Sequence, residues 1–405
     1  MNGNESIVIA HAGPKSSTRM IGALAITQTA GYGVLYYAFS VFIPPMSRDL
    51  HAGVAQLTGA ITLAVLVSGV VAPVIGRWLD RHGGRGLMTA GSVVGALAVL
   101  AWSQVRTVAQ LYLVCGVLGV ASAMVLYEAA FAVIVAWFDA ARRARALLAV
   151  TVVAGFASSI FLPLTGFLVD RYGWRQALVL LAAGYALTTV PLHALAVRGR
   201  GAPPHANRRE IVGTALRERP FWLLAAAFLT QTGAVAVMGV LLVTYLIVLG
   251  HPPVFAAAVA GLLGVLSVTG RLVTTGLQAR WRVSLITAAM FGLQGLAAVL
   301  LPLVGRSVAG AVVAVVLFGL GFGVGTIARP ALLADRYGTA AYASLSGALA
   351  LPIMVAKAVA PLLAAGIAQF AGYPAVMGAV AGACALGALS LVAYDRRAPT
   401  GPAPA

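Results

Sequence analysis

Long apolar runs, interrupted at short intervals by clusters of charge, proline and glycine, set the rhythm of this chain. A helix needs about 20 predominantly apolar residues to cross a bilayer core. Twelve runs meet that requirement: 20–46, 54–79, 86–104, 109–137, 143–168, 175–197, 220–249, 254–279, 283–304, 308–334, 341–368 and 374–394. The alternating segments of about ten residues that mark a transmembrane barrel are missing. The pattern therefore predicts an all-α membrane protein with twelve transmembrane helices. Its longest polar stretch divides the runs six and six. The expected organisation is a tail over 1–18, a six-helix bundle over 19–197, a linker over 198–219, a second six-helix bundle over 220–395 and a tail over 396–405.

Composition sharpens this picture. Of the 405 residues, 61% are apolar and only 9% charged, where a soluble domain carries roughly a quarter. A net charge of +17 would suggest nucleic acid in a soluble chain. Here the basic residues sit between the runs, so the expected partner is the lipid bilayer and not nucleic acid. With both termini cytoplasmic, 19 of the 27 Lys and Arg fall on the cytoplasmic side, and only Arg48, Arg106, Arg171, Arg175 and Arg306 on the other. That excess sets orientation by the positive-inside rule, and the expectation is a multi-pass protein of a bacterial inner membrane. No cleavable leader pattern opens the chain. Cys115 and Cys384 lie inside runs in opposite halves, so no disulfide is expected. Scattered histidines give no metal constellation, and no P-loop sequence is present; no enzyme, metal or cofactor is expected. His193, near the end of the sixth run, reads as interfacial.

The two halves are weakly similar at a shift of about 200 residues, the sign of a duplicated transporter. Thr27-Gln28-Thr29-Ala30-Gly31 answers Thr230-Gln231-Thr232-Gly233-Ala234, Gly76 answers Gly276, and Gly173-Trp174 answers Gly372-Tyr373. The order is collinear, which predicts a pseudo-twofold pair of bundles with a central site.

After the second run the sequence reads Gly76-Arg77-Trp78-Leu79-Asp80-Arg81-His82-Gly83-Gly84-Arg85. Glycine permits close helix approach, Asp80 can cap or pair across an interface, and the arginines anchor a tight turn. This resembles the GxxxDRxGRR loop of the major facilitator superfamily, lacking one arginine. The resemblance extends to the twelve runs, the two halves and the basic centre. It implies gating roles for Gly76, Asp80, Arg81 and Arg85, in a loop that helps hold the outward-facing state. The stretch from Trp137 through Arg142-Arg143-Ala144-Arg145 to Gly155, with Gly31-Tyr32-Gly33 and Pro44-Pro45, is similar to the monocarboxylate/oxalate-formate porter-like bacterial branch.

Ionised side chains inside the runs are costly and call for a wet cavity, a partner or a proton. Glu128 lies nine residues from the end of the fourth run, about 13 Å deep at 1.5 Å per residue. A buried carboxyl can carry a proton or serve as an ion-pair partner, and both readings stand. Arg271 and Lys357 lie within the eighth and eleventh runs, and Arg329 in the tenth. The resemblance places all four on cavity helices, with Arg271 at the position of the porters' carboxylate-binding arginine. The neighbouring acidic residue of those porters is missing. Arg329 reads as a gate residue. Excess positive charge favours an anionic substrate, bound by Arg271 and Lys357; the alternative is that each pairs with Glu128. Tyr32 and Tyr36, one turn apart with Gln28 a turn before them, and Tyr127 and Gln231 are candidates to line the same cavity. The expected function is secondary active transport by alternating access of a small organic anion or carboxylated metabolite, with Glu128 a candidate for proton coupling, by a chain acting as a monomer. The alternative is a proton-driven exporter of a drug or planar metabolite.

Overall fold

The computed structural model describes residues 14–197, 208–278 and 280–396. Residues 1–13 of the expected first tail, 198–207 of the linker and 397–405 of the last tail lie outside the described residues. Among the described residues the regular structure is helical throughout. The first half holds α1 (Pro14–Tyr32), a π-helical turn (Gly33–Tyr37), α2 (Ala38–Asp49), α3 (Val54–His82), α4 (Gly84–Trp102), α5 (Val108–Val125), α6 (Tyr127–Trp137), α7 (Ala140–Ala154), α8 (Ala157–Tyr172) and α9 (Trp174–Ala196). The linker contributes α10 (Arg208–Arg217). The second half holds α11 (Arg219–Val248), α12 (Pro253–Leu277), α13 (Val283–Val304), α14 (Val308–Phe322), α15 (Val324–Tyr337) and α16 (Tyr342–Asp395).

Ten helical stretches among the described residues are long and apolar enough to cross a membrane. Two features reconcile that number with twelve runs. The π-turn splits the first run into α1 and α2. At the other end α16 has 54 residues, which as a straight rod would reach about 80 Å, far beyond a hydrocarbon core of about 30 Å. Gly372 breaks it, with φ 79° and ψ 171°. Gly173 takes φ 77° and ψ 161° between α8 and α9, and Gly83 takes φ 76° and ψ 176° between α3 and α4. Only glycine adopts this backbone region freely. A Gly372→Ala change is therefore expected to lower stability by roughly 1–3 kcal/mol. Gly378→Ala, in open helical surroundings, should leave the melting temperature in detergent unchanged or slightly higher.

The apolar core divides unequally. At the end that carries α10, one cluster runs through both halves, from Leu24, Leu79 and Phe131 to Phe221, Leu333 and Leu349. At the far end the clusters are separate, one around Phe42, Trp102 and Tyr185 in the first half and one around Tyr245, Phe318 and Cys384 in the second. Apolar burial thus joins the bundles at the linker end and holds each bundle together by itself at the other.

Candidate functional site

The joined end is built on α3 and α16, which cross between the bundles. Three glycines let their backbones touch. A Cβ on Gly76 would come within 2.1 Å of the Ala343 carbonyl oxygen, one on Gly347 within 2.4 Å of that of Ala72, and one on Gly69 within 2.8 Å of Met354 Cβ. Small residues at a helix crossing serve this close approach. Asp80 uses the proximity. The N-cap residue of α16, Ala341, supplies no side-chain cap. Asp80 supplies one from the first bundle. Its carboxylate accepts from the Ala343 N–H at 3.0 Å, the Ser344 N–H at 2.8 Å and the Ser344 hydroxyl at 2.6 Å. A carboxylate at a helix N-terminus meets both unpaired donors and the positive end of the dipole. Arg143, 7% exposed, adds a second link by donating to Asp335 at 3.4 Å.

Deeper in, the fourth and tenth runs are both broken. Leu126, extended at φ −80° and ψ −165°, separates α5 from α6, and Gly323 separates α14 from α15. Glutamines from the matching sequences Thr27-Gln28-Thr29 and Thr230-Gln231-Thr232 sit at these breaks. Gln28 donates to the Val125 carbonyl at 2.7 Å, and Gln231 lies so close to Gly325 that a Cβ there would meet its Oε1 at 2.9 Å. Both are buried, at 0% and 4% exposure; Gln28 satisfies a carbonyl of the interrupted backbone, and Gln231 packs beside the second break. Just past the breaks Glu128 and Arg329 form an ion pair across the bundles, and the Ser346 hydroxyl donates to the other Glu128 oxygen at 2.7 Å. The sequence alternative that paired Glu128 with Arg271 or Lys357 is thereby corrected: Arg329, six residues past the break in the tenth run, reaches it.

Arg271 and Lys357 meet no carboxylate within ion-pair distance among the described residues. Arg271, 7% exposed, donates Nε to the Gly323 carbonyl at 3.2 Å, one terminal nitrogen to the Ser267 hydroxyl at 3.0 Å and the other to the Thr151 carbonyl of the opposite bundle at 2.6 Å. Neutral acceptors hold its fork in place and leave its charge uncompensated. Lys357 crosses the bundles as well, its ammonium 4.7 Å from the centre of the Tyr36 ring, within cation–π range. The π-turn changes which tyrosines meet. A wide turn adds one residue to the local period, so Tyr37 comes over Tyr32, their centroids 6.4 Å apart. The shared face expected for Tyr32 and Tyr36 is corrected accordingly. Tyr127 packs on Tyr32 at 4.6 Å and stacks on Phe131 at 4.8 Å, while Tyr36 meets Tyr37 edge-on at 5.3 Å. Tyr37 lies within electrostatic reach of both Lys357 and Arg271. All four tyrosines are half-buried.

The sequence candidates thus separate into groups. Gly76 and Asp80 lie in the joined interface, Glu128 and Arg329 in one ion pair, and Tyr32, Tyr36, Tyr127, Arg271 and Lys357 around one region between the bundles. Arg81 and Arg85 are exposed at the linker end, apart from the Asp80 contacts. His193 is 1% exposed and not interfacial; its Nδ1 lies 2.7 Å from Ser92 Oγ, packed where α9 meets α4. Sequence reading assigned no role to Ser344, Ser346 or Thr151. The alternating serines at the start of an apolar run were the available signal for the first two; Thr151 acts through its backbone and left none.

Comparison with known proteins agrees with this architecture. The family model of the Major Facilitator Superfamily matches residues 24–351. A "38 kDa protein in 23S RNA operon" of Thermoproteus tenax is 30% identical over 228 residues, 56% of this chain and 58% of that protein. Monocarboxylate transporter 13 of Bos taurus is 27% identical over 233 residues, 56% of this chain and 53% of that one. The matches span about half the length of these relatives. Among solved structures, the fucose:proton symporter of E. coli superposes with a TM-score of 0.76 at 13% identity, over 92% of this chain and 98% of that one, a likeness of fold.

Proposed function

Since this chain belongs to the major facilitator superfamily, we propose that it moves a small organic anion by alternating access, with Arg271 and Lys357 holding the substrate's carboxylate and Glu128 carrying the coupled proton. The observation that carries the reading is a pair of cations, one from each of two helices of the second bundle, reaching across to the first with no carboxylate among the described residues within ion-pair distance of them. An uncompensated charge at this depth is retained at a cost, and a substrate carboxylate would remove that cost. Arginine offers such a group a two-point fork and lysine a compact charge. By the positive-inside rule the linker end is cytoplasmic, so the arrangement described here is closed to the cytoplasm, in a monomer of a bacterial inner membrane. The monocarboxylate transporters among the relatives support the same substrate class.

Counterflow in proteoliposomes tests this with a panel of monocarboxylates against cationic dyes. Wild type should exchange carboxylates, and Arg271→Ala should reduce that exchange by ten- to a hundredfold, the loss of one or two charge-assisted hydrogen bonds. Dye exchange without carboxylate exchange would overturn the reading in favour of a cation exporter.

A further inference from the structure

Resting on that carboxylate reading, we infer that the substrate carries a planar aromatic ring beside its carboxylate. Arg271 reaches from the second bundle to the Thr151 carbonyl of the first, and the Lys357 ammonium stands 4.7 Å from the centre of the Tyr36 ring. Tyr36 meets Tyr37 edge-on at 5.3 Å, and Tyr32 stands 6.4 Å from Tyr37 and 4.6 Å from Tyr127, centroid to centroid. An aliphatic acid of two or three carbons would need the cations but would leave this aromatic surface without a partner. The lining is also built with some care. A π-turn, an irregularity frequent at functional sites, carries Tyr36 and Tyr37 as its last two residues. Gly33 at its start admits the Phe161 ring at a distance where a Cβ would stand 2.2 Å from ring carbon. The break at Leu126 starts a new helix with Tyr127 as its first residue. Backbone irregularities in two helices thus serve to place rings from both at one spot, and each ring keeps part of its surface accessible where core aromatics such as Phe228 keep only 2%.

Aromatic pairs packed offset or edge-on gain more than their buried area alone supplies. A ligand ring would pack on the accessible side of Tyr32, Tyr37 and Tyr127 while its carboxylate reaches Arg271. Lys357, already over the Tyr36 face, closes the opposite side.

The test is competition counterflow with wild type in proteoliposomes, using benzoate, phenylacetate, acetate, lactate and uncharged benzyl alcohol. Benzoate or phenylacetate should half-saturate at a concentration at least tenfold below acetate and lactate, and benzyl alcohol should compete weakly. Tyr37→Leu should shrink the aromatic preference several-fold, and Tyr37→Phe should keep it. If acetate or lactate binds as well as benzoate, and Arg271→Ala abolishes that binding, the aromatic inference is overturned while the carboxylate reading stands. If benzyl alcohol competes as well as benzoate, or Arg271→Ala changes nothing, both fall.

Discussion

An Arg329→Ala variant should spend most of its time with the linker end open. The substitution leaves Glu128, 18% exposed at its side chain and paired to Arg329 across the bundles, as a lone charge in the joined interface. Removing one partner of a buried pair costs about 3–5 kcal/mol. That energy is charged to the closed state alone, because opening lets water reach the carboxylate. At about 1.4 kcal/mol per tenfold, the closed-to-open ratio should fall by between two and four orders of magnitude. Spin labels at Arg77→Cys and Thr339→Cys, exposed positions on opposite bundles, would report the separation. The native Cys115 and Cys384 are buried and should stay unlabelled. A lengthened distance is expected in Arg329→Ala, with recovery when Glu128→Gln is added, since a neutral amide no longer needs the cation. Unchanged distances in the single variant would show that the pair does not hold this end. If Glu128 also carries the proton, Glu128→Gln will lose accumulation driven by a pH gradient.

The second large effect comes from one carbon atom. Gly76→Ala puts a Cβ within 2.1 Å of the Ala343 oxygen and 2.7 Å of its carbonyl carbon. Both contacts are backbone, so no side chain can swing away, and overpacking of this kind costs about 1–3 kcal/mol or more. The contact exists only while α3 and α16 are joined. The variant should therefore fold and insert normally, show the lengthened distance described above, and lose counterflow by a hundredfold or more because it cannot return to the closed state. Gly347→Ala, meeting the Ala72 carbonyl from the other side, should behave alike. Gly86→Ala, at the same end with open space around it, should transport normally; a comparable loss there would mean that the effect is general to this end.

Much of this was legible in the residues. Apolar runs long enough to span are a direct consequence of bilayer thickness, so an all-helical membrane fold could be read with little ambiguity, and the ten spanning stretches are consistent with twelve runs. The intramembrane charges stood out for the same reason. Their partners did not. Glu128 had three cations within plausible reach, and only the packing of α15 against α6 selects Arg329. The tyrosine register failed on a local irregularity: a π-turn at Gly33-Val34-Leu35-Tyr36-Tyr37 has no composition that distinguishes it from an α-turn. Gln28 was picked out as a polar group in an apolar helix, whereas its bond to the Val125 carbonyl depends on a break in another helix that no local signal marks.

One consequence follows from the corners. A lone glycine links α3, which forms the joined interface, to α4, and another links α8 to α9. With so little slack, a swing of the inner rod must drag its outer neighbour sideways through the surrounding acyl chains. Viscosity and thickness of the host bilayer thereby become friction on turnover, and two lipid mixtures should run the same molecule at different speeds.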